Sequence, residues 1–250
     1  MTEAVIKGNE AVFLVADTNG ATPVTRGVDG LIPARADNLT QNTATLVEWH
    51  DLPRRTRFSV FGSQGDGRQI MQAGTIKVMN RKVDQDILSG LSAATLTAGS
   101  AATASVALVA KSLTILGNNE VDIEEEDKMF GVISPAFRAY LMQTKEFASG
   151  EYVEVKPFVG PVRKMWRWSG VNWIVHPNVA GVGTSSETCY LFHRDSIGHA
   201  VDTSGMNQAA GYDEEQDYMW ARTSMFMGAK LLQNNGVVKM LHDGSAYVAS

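Results

Sequence analysis

The chain has 250 residues, of which 44% are hydrophobic, and its formal net charge is −5. A chain of this length and composition buries a full core, as one elaborate domain or as two small ones. Its basic residues form no run longer than Arg54-Arg55, which argues against a nucleic-acid-binding surface. Cys189 is the single cysteine, so an internal disulfide and a cysteine-based zinc cluster are excluded.

The first residues show no targeting signal. MTEAVIKGNE lacks the basic and apolar regions of a signal peptide, and no window of the chain holds eighteen apolar residues in a row. Together with the lone cysteine, these features predict folding in a reducing cytoplasm and no membrane partner.

The N-terminal quarter combines strand-like runs with a segment that lacks a core. Glu10 to Asp17 is an apolar strand, followed by the hairpin signal Asn19-Gly20. Gly20 to Asn42 is rich in Gly, Pro, Thr, Asn and Asp, which predicts an exposed, extended excursion. The alternating runs Thr43 to His50 and Thr56 to Phe61 predict further strands. Strands with so little covering helix form a ribbon. The fold of such a ribbon is only marginally stable in water by itself, so we expect another molecule to cover it.

The longest helical period runs from Arg68 to about Ala93. Apolar residues recur there at spacings of three and four: Ile76, Met79, Val83, Ile87 and Leu91. At 1.5 Å per residue this segment spans about 38 Å, the width of a small domain. The pattern therefore predicts one long strut helix that lies on a flat surface.

Gly62 to Gly67 (GSQGDG), just before this helix, has some features of a phosphate-binding loop. The Lys and the Ser or Thr of a P-loop are replaced here by Arg68 and Gln69, and Gln is a poor substitute for the hydroxyl that holds magnesium. A helix N-terminus still attracts anions. An anion- or nucleotide-binding site and a simple glycine turn are both compatible with the pattern, and the residues favour the turn.

The rest of the chain predicts a second helix and a compact α+β lobe. Ser105 to Leu116 is helical, Met129 to Ile133 is a strand, and Ser134-Pro135 opens a third helix with Phe137, Tyr140 and Leu141 on its apolar face. Four further strand-like runs follow, at Tyr152 to Phe158, Met165 to Trp168, Val171 to Val175 and Thr188 to His193.

The C-terminal segment predicts a hairpin. Tyr218 to Leu232 alternates over its whole length, Asn234-Asn235-Gly236 is a turn, and Val237 to Leu241 is a second strand. We expect the first of these strands to support the strut helix.

Three tryptophans in the lobe have two interpretations. Trp166, Trp168 and Trp173 are typical either of a stacking platform for bases or sugars or of a packed core. The only nearby basic residues are Arg163, Lys164 and Arg167, which is too few for a basic groove, so the core is favoured.

The polar residues show no pattern typical of catalysis or of metal binding. The acidic residues 124–127 lack the spacing of a calcium loop and predict a solvated turn. The histidines lack metal-ligand spacing: His50, His176, His193, His199 and His242. We predict no catalytic, cofactor-binding or metal-binding residue, no cofactor, and a protein that is not an enzyme.

Several stretches carry a resemblance to a known family. They are SQGDGRQIMQAGTIKVMNRKVDQDIL in the strut helix, ISPAFRAYLMQTKEF at the opening of the lobe, WIVHPNVAGVGT and CYLFHRDSIGHAV within it, and DYMWARTSMFMGAKLLQNNGVV near the end. In these stretches and in the order of its elements, the chain resembles the major capsid proteins of tailed bacteriophages, which have the α+β Hong Kong 97-like fold. The likeness covers almost the whole chain.

The resemblance implies a division of the chain into named parts. These are an N-terminal arm (1–8), an extended β-hairpin loop (9–66), a peripheral domain (67–128) with a spine helix (68–93), an axial domain (129–217), and a last segment (218–250) that returns to the peripheral domain as a long strand and a terminal hairpin strand.

The resemblance also implies a function. Such a protein assembles as pentamers and hexamers into an icosahedral shell that encloses double-stranded DNA, and it resides in the virion after assembly in the host bacterial cytoplasm. Implied partners are further copies of the chain, a portal, and scaffold or decoration proteins. DNA is enclosed without sequence-specific binding, and the acidic balance agrees, because basic contacts would hold packed DNA tightly.

Two departures limit what the resemblance implies. The founding member of the family joins its subunits through a Lys-Asn bond whose Lys lies on the extended loop, whereas this chain has no Lys between Lys7 and Lys77. We therefore expect no crosslink of that type. The long N-terminal scaffolding segment of some relatives is also missing, so we expect a separate scaffold protein or none.

Two alternatives stay open at this point. One is an encapsulin, a bacterial cargo-holding shell of the same fold. The other, more remote, is an anion- or nucleotide-binding enzyme that uses Gly62 to Gly67.

Overall fold

A computed structural model describes residues 4–16, 22–34, 39–62, 66–145, 165–202 and 205–247. Over these residues the fold mixes helices and sheets, as predicted. The helices are α1 (Arg57–Phe61), α2 (Gly67–Ser92), α3 (Val106–Asn118) and α4 (Pro135–Leu141). Within the same residues, no helix is long and apolar enough to cross a membrane.

The described strands form three sheets. The strands are β1 (Val5–Lys7), β2 (Glu10–Ala16), β3 (Leu39–Thr45), β4 (Val47–Asp51), β5 (Arg54–Thr56), β6 (Met129–Ile133), β7 (Met165–Trp168), β8 (Val171–Val175), β9 (Glu187–His193), β10 (Ile197–Val201), β11 (Asn207–Asp213), β12 (Tyr218–Leu231) and β13 (Val237–His242). The arm sheet has the order β1-β2-β3, and the lobe sheet has the order β13-β9-β6-β8-β7. The third, which we call the long-strand sheet, is built around β12, with β10 and β11 along one edge and β4 and β5 along the other.

Helix α2 begins at a strong cap and runs for 26 residues, or about 39 Å. The carboxylate of Asp66 accepts hydrogen bonds from the backbone N–H groups of Arg68 and Gln69, at 3.0 and 3.3 Å. Such a cap stabilises a helix by about 1 kcal/mol because it satisfies N–H groups that have no partner within the helix. The predicted helix from Arg68 to Ala93 is confirmed to within one residue at each end.

The buried face of α2 lies on β12. Met79 packs with Met225 and Met227, and all three side chains are buried. Burial of one such side chain contributes about 1.5–3 kcal/mol. Beside them, the hydroxyl of Thr223 donates a hydrogen bond of 2.8 Å to that of Thr75, so this buried polar pair is satisfied. The prediction that the first strand of the terminal segment supports the strut helix is confirmed.

The lobe sheet is packed by α3 and α4. Its core contains Leu116 of α3, Phe137 of α4, Trp173 of β8, Leu191 of β9 and Met240 of β13, each fully buried. Ser105 caps α3, and Ser134 caps α4 as predicted, with the predicted Pro135 at the first position of that helix. The compact α+β lobe is therefore confirmed, and it includes α3 and β13.

The run Thr56 to Phe61 is not a strand, and this prediction is wrong. β5 ends at Thr56 and α1 follows at once. The hydroxyl of Thr56 accepts a hydrogen bond of 3.3 Å from the N–H of Ser59, and the N–H of Gly62 donates to the carbonyl of Phe58 at 2.9 Å. A Thr cap and a closing Gly favour a short helix where no neighbouring strand pairs with the segment.

The run Thr43 to His50 is two strands, not one. The chain leaves β3 at Leu46, whose N–H donates to the carbonyl of Asn9 at 2.8 Å, and then enters β4. β3 pairs with β2, whereas β4 pairs with β12. A Cβ on Gly228 would come within 2.5 Å of the Thr45 carbonyl oxygen, so glycine at that position allows the close crossing.

The predicted terminal hairpin is also wrong. The turn at Asn234–Gly236 is a short 3-10 helix that carries the chain from the long-strand sheet to the lobe sheet, where β13 pairs with β9. β12 already has partners along both edges, so β13 cannot pair with it over that length.

Two further predictions cannot be compared with the fold. The hairpin signal Asn19-Gly20 and the strand from Tyr152 to Phe158 lie outside the described residues.

Candidate assembly surface

Residues 22–34, which we call the outer loop, are exposed throughout and carry four exposed apolar side chains. Val24, Val28, Leu31 and Ile32 are 61%, 107%, 75% and 68% exposed. The loop closes on itself at its centre, because the N–H of Gly27 donates to the carbonyl of Leu31 at 3.0 Å. Four exposed aliphatic residues within nine positions leave apolar surface in contact with water, which makes this loop a candidate interaction site.

The outer loop projects from a base that its own chain covers. Phe13 of β2 is fully buried among Ala44, Ala200 and Leu232. A Cβ on Gly198 would come within 2.6 Å of the Phe13 ring, so the base is tightly packed on the long-strand sheet. The expectation that the whole ribbon needs another molecule is therefore wrong for its base.

The predicted excursion from Gly20 to Asn42 is also too long at its C-terminal end. Leu39 pairs with Ala16 and Asn42 pairs with Phe13, both within the β2–β3 ladder. The exposed and extended part that the structure describes is Thr22 to Ala34.

The loop from Gly62 to Gly67 offers no free helix N-terminus. Residues 63–65 lie outside the described part of the chain, but Asp66 and Gly67 are described. The Asp66 carboxylate occupies the N–H groups of Arg68 and Gln69, which in a phosphate-binding loop would face the anion. The Asp66 carboxylate would repel a second negative charge at this position. The geometry therefore favours a simple glycine turn over an anion-binding site.

The three tryptophans of the lobe belong to its core. Trp166, Trp168 and Trp173 are all buried, and the ring N–H of Trp173 donates to the Trp168 carbonyl at 3.0 Å. The guanidinium of Arg167 pairs with Glu126 and Asp127, at 2.7 Å each. A buried ring cannot stack on a ligand, so the platform interpretation is wrong. Arg163 and Lys164 lie outside the described residues.

Each histidine lies within 4 Å of a carboxylate, but the five are in separate places. The pairs are His50 with Glu48 (3.0 Å), His176 with Asp84 (3.1 Å), His193 with Glu125 (3.6 Å), His199 with Asp86 (3.8 Å) and His242 with Glu187 (3.9 Å). Among the described residues, no group of three or more His, Cys, Asp or Glu side chains could hold a metal ion. Burial raises the pKa of the Cys189 thiol to about 12, so it stays protonated.

A buried polar junction in the lobe was missed by sequence reasoning. Glu187 is fully buried and accepts hydrogen bonds from the Ser134 hydroxyl and, at 2.7 Å, from the Gly183 N–H. His242, also fully buried, lies 3.9 Å from the same carboxylate. The three side chains come from distant segments, so no local pattern reveals them. The junction ties the start of α4 to the end of β13.

The burial of His242 predicts that the subunit is sensitive to acid. Burial lowers the pKa of His242 below its ordinary value of 6.5, although the Ala102 carbonyl, Glu187 and Asp243 oppose the shift. Because the unfolded chain then binds the proton more readily, stability is full above pH 6.5 and falls as the pH drops through the lowered pKa. His199, also lowered by burial, contributes in the same direction.

We expect His242→Asn to weaken this acid sensitivity. Asn retains a donor toward the Ala102 carbonyl but does not titrate, so the denaturant midpoint should fall less between pH 7.5 and pH 5.5 than in the wild type. The exposed His50→Asn is the control and should leave the wild-type difference unchanged. If the denaturant midpoint of His242→Asn fell as much between the two pH values as that of the wild type, His242 would not be a source of the acid sensitivity.

Solved structures with a similar fold include capsids of phages and of a GTA particle. A structure named Mycobacterium phage Che8 is 16% identical, with a TM-score of 0.69 over 94% of this chain and 85% of that one. The Cyanophage Pam1 capsid is 11% identical, with a TM-score of 0.72 over 95% of this chain and 86% of that one. The capsid of a native GTA particle is 10% identical, with a TM-score of 0.70 over 97% and 88%. Comparison with curated proteins returns no match.

The α+β fold, with its strut helix on a long strand, is the fold of these capsid structures. The model of a family described as phage capsid protein matches residues 60–244, which is more than half of the chain. The chain belongs to the phage capsid protein family. The resemblance stated from the sequence is confirmed, and no finding supports the encapsulin or the nucleotide-binding enzyme.

Proposed function

We propose that this chain is the repeated subunit of a closed shell, built from rings of five and six copies, that encloses the double-stranded DNA of a tailed phage. The observation that carries the proposal is the outer loop, whose four aliphatic side chains are exposed on a base that its own chain anchors. A neighbouring copy that covers these side chains would gain about 25 cal/mol for each Å² of apolar surface removed from water.

The geometry of the loop suits a ring. A loop that projects from one subunit onto a different surface of the next makes a head-to-tail contact, and such contacts close into rings when the rotation between subunits permits. Because the same contact is repeated around each ring, a modest gain of free energy at one contact would be multiplied by the number of contacts.

The packing supports a peripheral and an axial part with revised boundaries. α2 and the long-strand sheet form one packed unit, to which β4 and β5 belong through their pairing with β12. The lobe sheet, α3 and α4 form the other. We propose the arm at 1–8, an extended loop that ends near Thr45, and an axial part that includes α3 and β13.

The remaining parts of the proposal concern partners and location. A portal, a scaffold protein and decoration proteins would be the other partners of the shell, which would assemble in the host cytoplasm and then remain in the virion. The net charge of −5 agrees with an inner wall that does not bind packed DNA tightly. The protein would act without catalysis.

Sedimentation of the expressed protein tests this function. We expect the wild type, expressed alone and together with its neighbouring genes, to sediment as large closed particles. The double variant Leu31→Asp with Ile32→Asp should remain as subunits or small rings, because charge replaces the apolar surface.

A matched control separates the loss of apolar surface from the gain of charge. Thr22→Asp with Thr25→Asp adds the same charge to the same exposed loop and should still assemble. A wild type that stays monomeric at high concentration under both conditions would overturn the proposal.

A further inference from the structure

The long-strand sheet has a second face, which points away from α2. Side chains of β12 alternate between the two faces: Thr223 and Met225 are buried under α2, whereas Arg222 and Phe226 are exposed on the other side. Near Gly228 this second face is crossed closely by the base of the outer loop. Toward the opposite end of β12, the same face is open to solvent.

A small pocket of about 180 Å³ lies in the open end of this face. The five residues that line it are Leu52, Arg54, Tyr218, Trp220 and Arg222. Arg54 and Trp220 are direct partners across β5 and β12, and the guanidinium carbon of Arg54 lies 4.9 Å from the centre of the Tyr218 ring. On the other side of β12, a Cβ on Gly211 would come within 2.7 Å of the Trp220 ring, so that ring lies where a side chain of β11 would otherwise stand.

The two guanidinium groups of the pocket are available to a partner. Arg54 and Arg222 are exposed, and neither forms an ion pair with a carboxylate in the described part of the chain. Arg, Trp and Tyr are also the residue types that contribute most of the binding energy at protein interfaces. The pocket therefore combines aromatic surface with two unpaired positive charges, in a chain whose net charge is −5.

The size of the pocket and its surroundings narrow the class of ligand. Pockets for small molecules enclose about 300–1,000 Å³, so this one accommodates a single side chain. A nucleic-acid strand would extend beyond it along the sheet, where Asp213 lies opposite Tyr218 at one end and Glu48 lies opposite Phe226 at the other. These carboxylates would repel the phosphates that follow. A short protein segment would not reach them.

We propose that this pocket binds a short acidic segment of another protein. One apolar side chain of the segment packs against the rings of Tyr218 and Trp220, and carboxylates on either side of it pair with Arg54 and Arg222. All the residues that form the pocket belong to one subunit, so the inference goes beyond the proposed function and does not depend on shell formation.

A labelled peptide tests this binding. The probe is Glu-Glu-Leu-Glu-Glu with a fluorescein label, titrated with the purified protein and followed by fluorescence anisotropy. We expect Arg222→Glu to weaken the affinity at least about tenfold, because the reversed charge repels the carboxylates. Arg81→Glu makes the same change at an exposed residue of α2, on the other face of the sheet, and should retain the wild-type affinity. A thermal melt verifies that each variant is folded.

A second peptide tests the apolar anchor. Glu-Glu-Gly-Glu-Glu has the same charge but no apolar side chain, so the wild type should bind it several times more weakly. Equal affinities for the two peptides would show charge attraction alone and would overturn the proposal. The readout is binding and not assembly, so a protein that forms no shells would contradict the proposed function and leave this inference to be decided by the titration.

Two other occupants are outcomes of the same experiments. Tighter binding of a labelled oligothymidylate than of the peptide, lost in Arg222→Glu, would assign the pocket to nucleic acid. Self-association that is lost both in Arg222→Glu and in Glu214→Lys with Glu215→Lys would assign it to the exposed acidic turn of a second copy. Either result, or a wild type that does not bind the peptide, would overturn the proposal.

Discussion

Val83→Pro is expected to yield insoluble protein. Val83 is near the middle of α2 and packs beside Met79, Met225 and Met227. Proline removes a backbone donor and clashes with the preceding turn, which costs about 3 kcal/mol or more. The kink would also lift α2 from β12, so the loss includes the burial of the methionines. Since a domain is stable by only about 5–15 kcal/mol, little of the folded subunit should remain.

Val83→Ala is the matched control for this variant. It removes side-chain volume at the same half-buried position but keeps the N–H and the helical backbone, so we expect soluble protein with a lower melting temperature. The measurement is the soluble fraction after expression and the thermal melt of what is recovered. Soluble Val83→Pro with a wild-type melt would show that α2 does not serve as the strut.

Replacement of residues 17–38 by Asn-Gly is expected to separate folding from assembly. Ala16 and Leu39 are direct partners at the end of the β2–β3 ladder, so a two-residue turn can join them without a change in register. Loop closure becomes cheaper by about 0.6 kcal/mol for each halving of loop length. Because the outer loop is exposed and the base around Phe13 is retained, the subunit should melt cooperatively, close to the wild-type temperature.

The same variant should form no closed shells. Every subunit would lack the apolar surface of Leu31 and Ile32, so each contact around a ring is weakened. The measurement combines a thermal melt with sedimentation, and Thr22→Asp with Thr25→Asp again serves as the full-length control. Normal shells from the shortened chain would mean that the outer loop is not an intersubunit element, and an unfolded subunit would mean that it belongs to the core.

Helices α2, α3 and α4 could be predicted because their signals are local, whereas the alternation of Thr56 to Phe61 concealed the short helix α1. The period of α2 is visible in adjacent residues, and Ser105 and Ser134 cap the helices that follow them. The outer loop was predictable for a related reason, since a segment with few large apolar residues cannot bury much of itself.

Two other errors lie where partners distant in sequence decide the structure. The alternation of Thr43 to His50 does not reveal that β3 pairs with β2 while β4 pairs with β12. Similarly, the Asn-Asn-Gly turn signals a change of direction, but whether β13 returns to β12 or joins β9 depends on which edges are already occupied.

The candidate assembly surface was predictable only in part. The outer loop follows from composition, whereas its base depends on the packing of Phe13 with Ala44, Ala200 and Leu232, which are distant in sequence. The junction of Ser134, Glu187 and His242 depends on three distant positions in the same way.

Electron microscopy of the purified, assembled protein tests the shell most directly. We expect closed particles of uniform size whose surface resolves into rings of five and six subunits, with the strut helix and the outer loop of each subunit in contact with a neighbour. Uniform monomers, or aggregates without rings at concentrations where the subunit is folded, would contradict it.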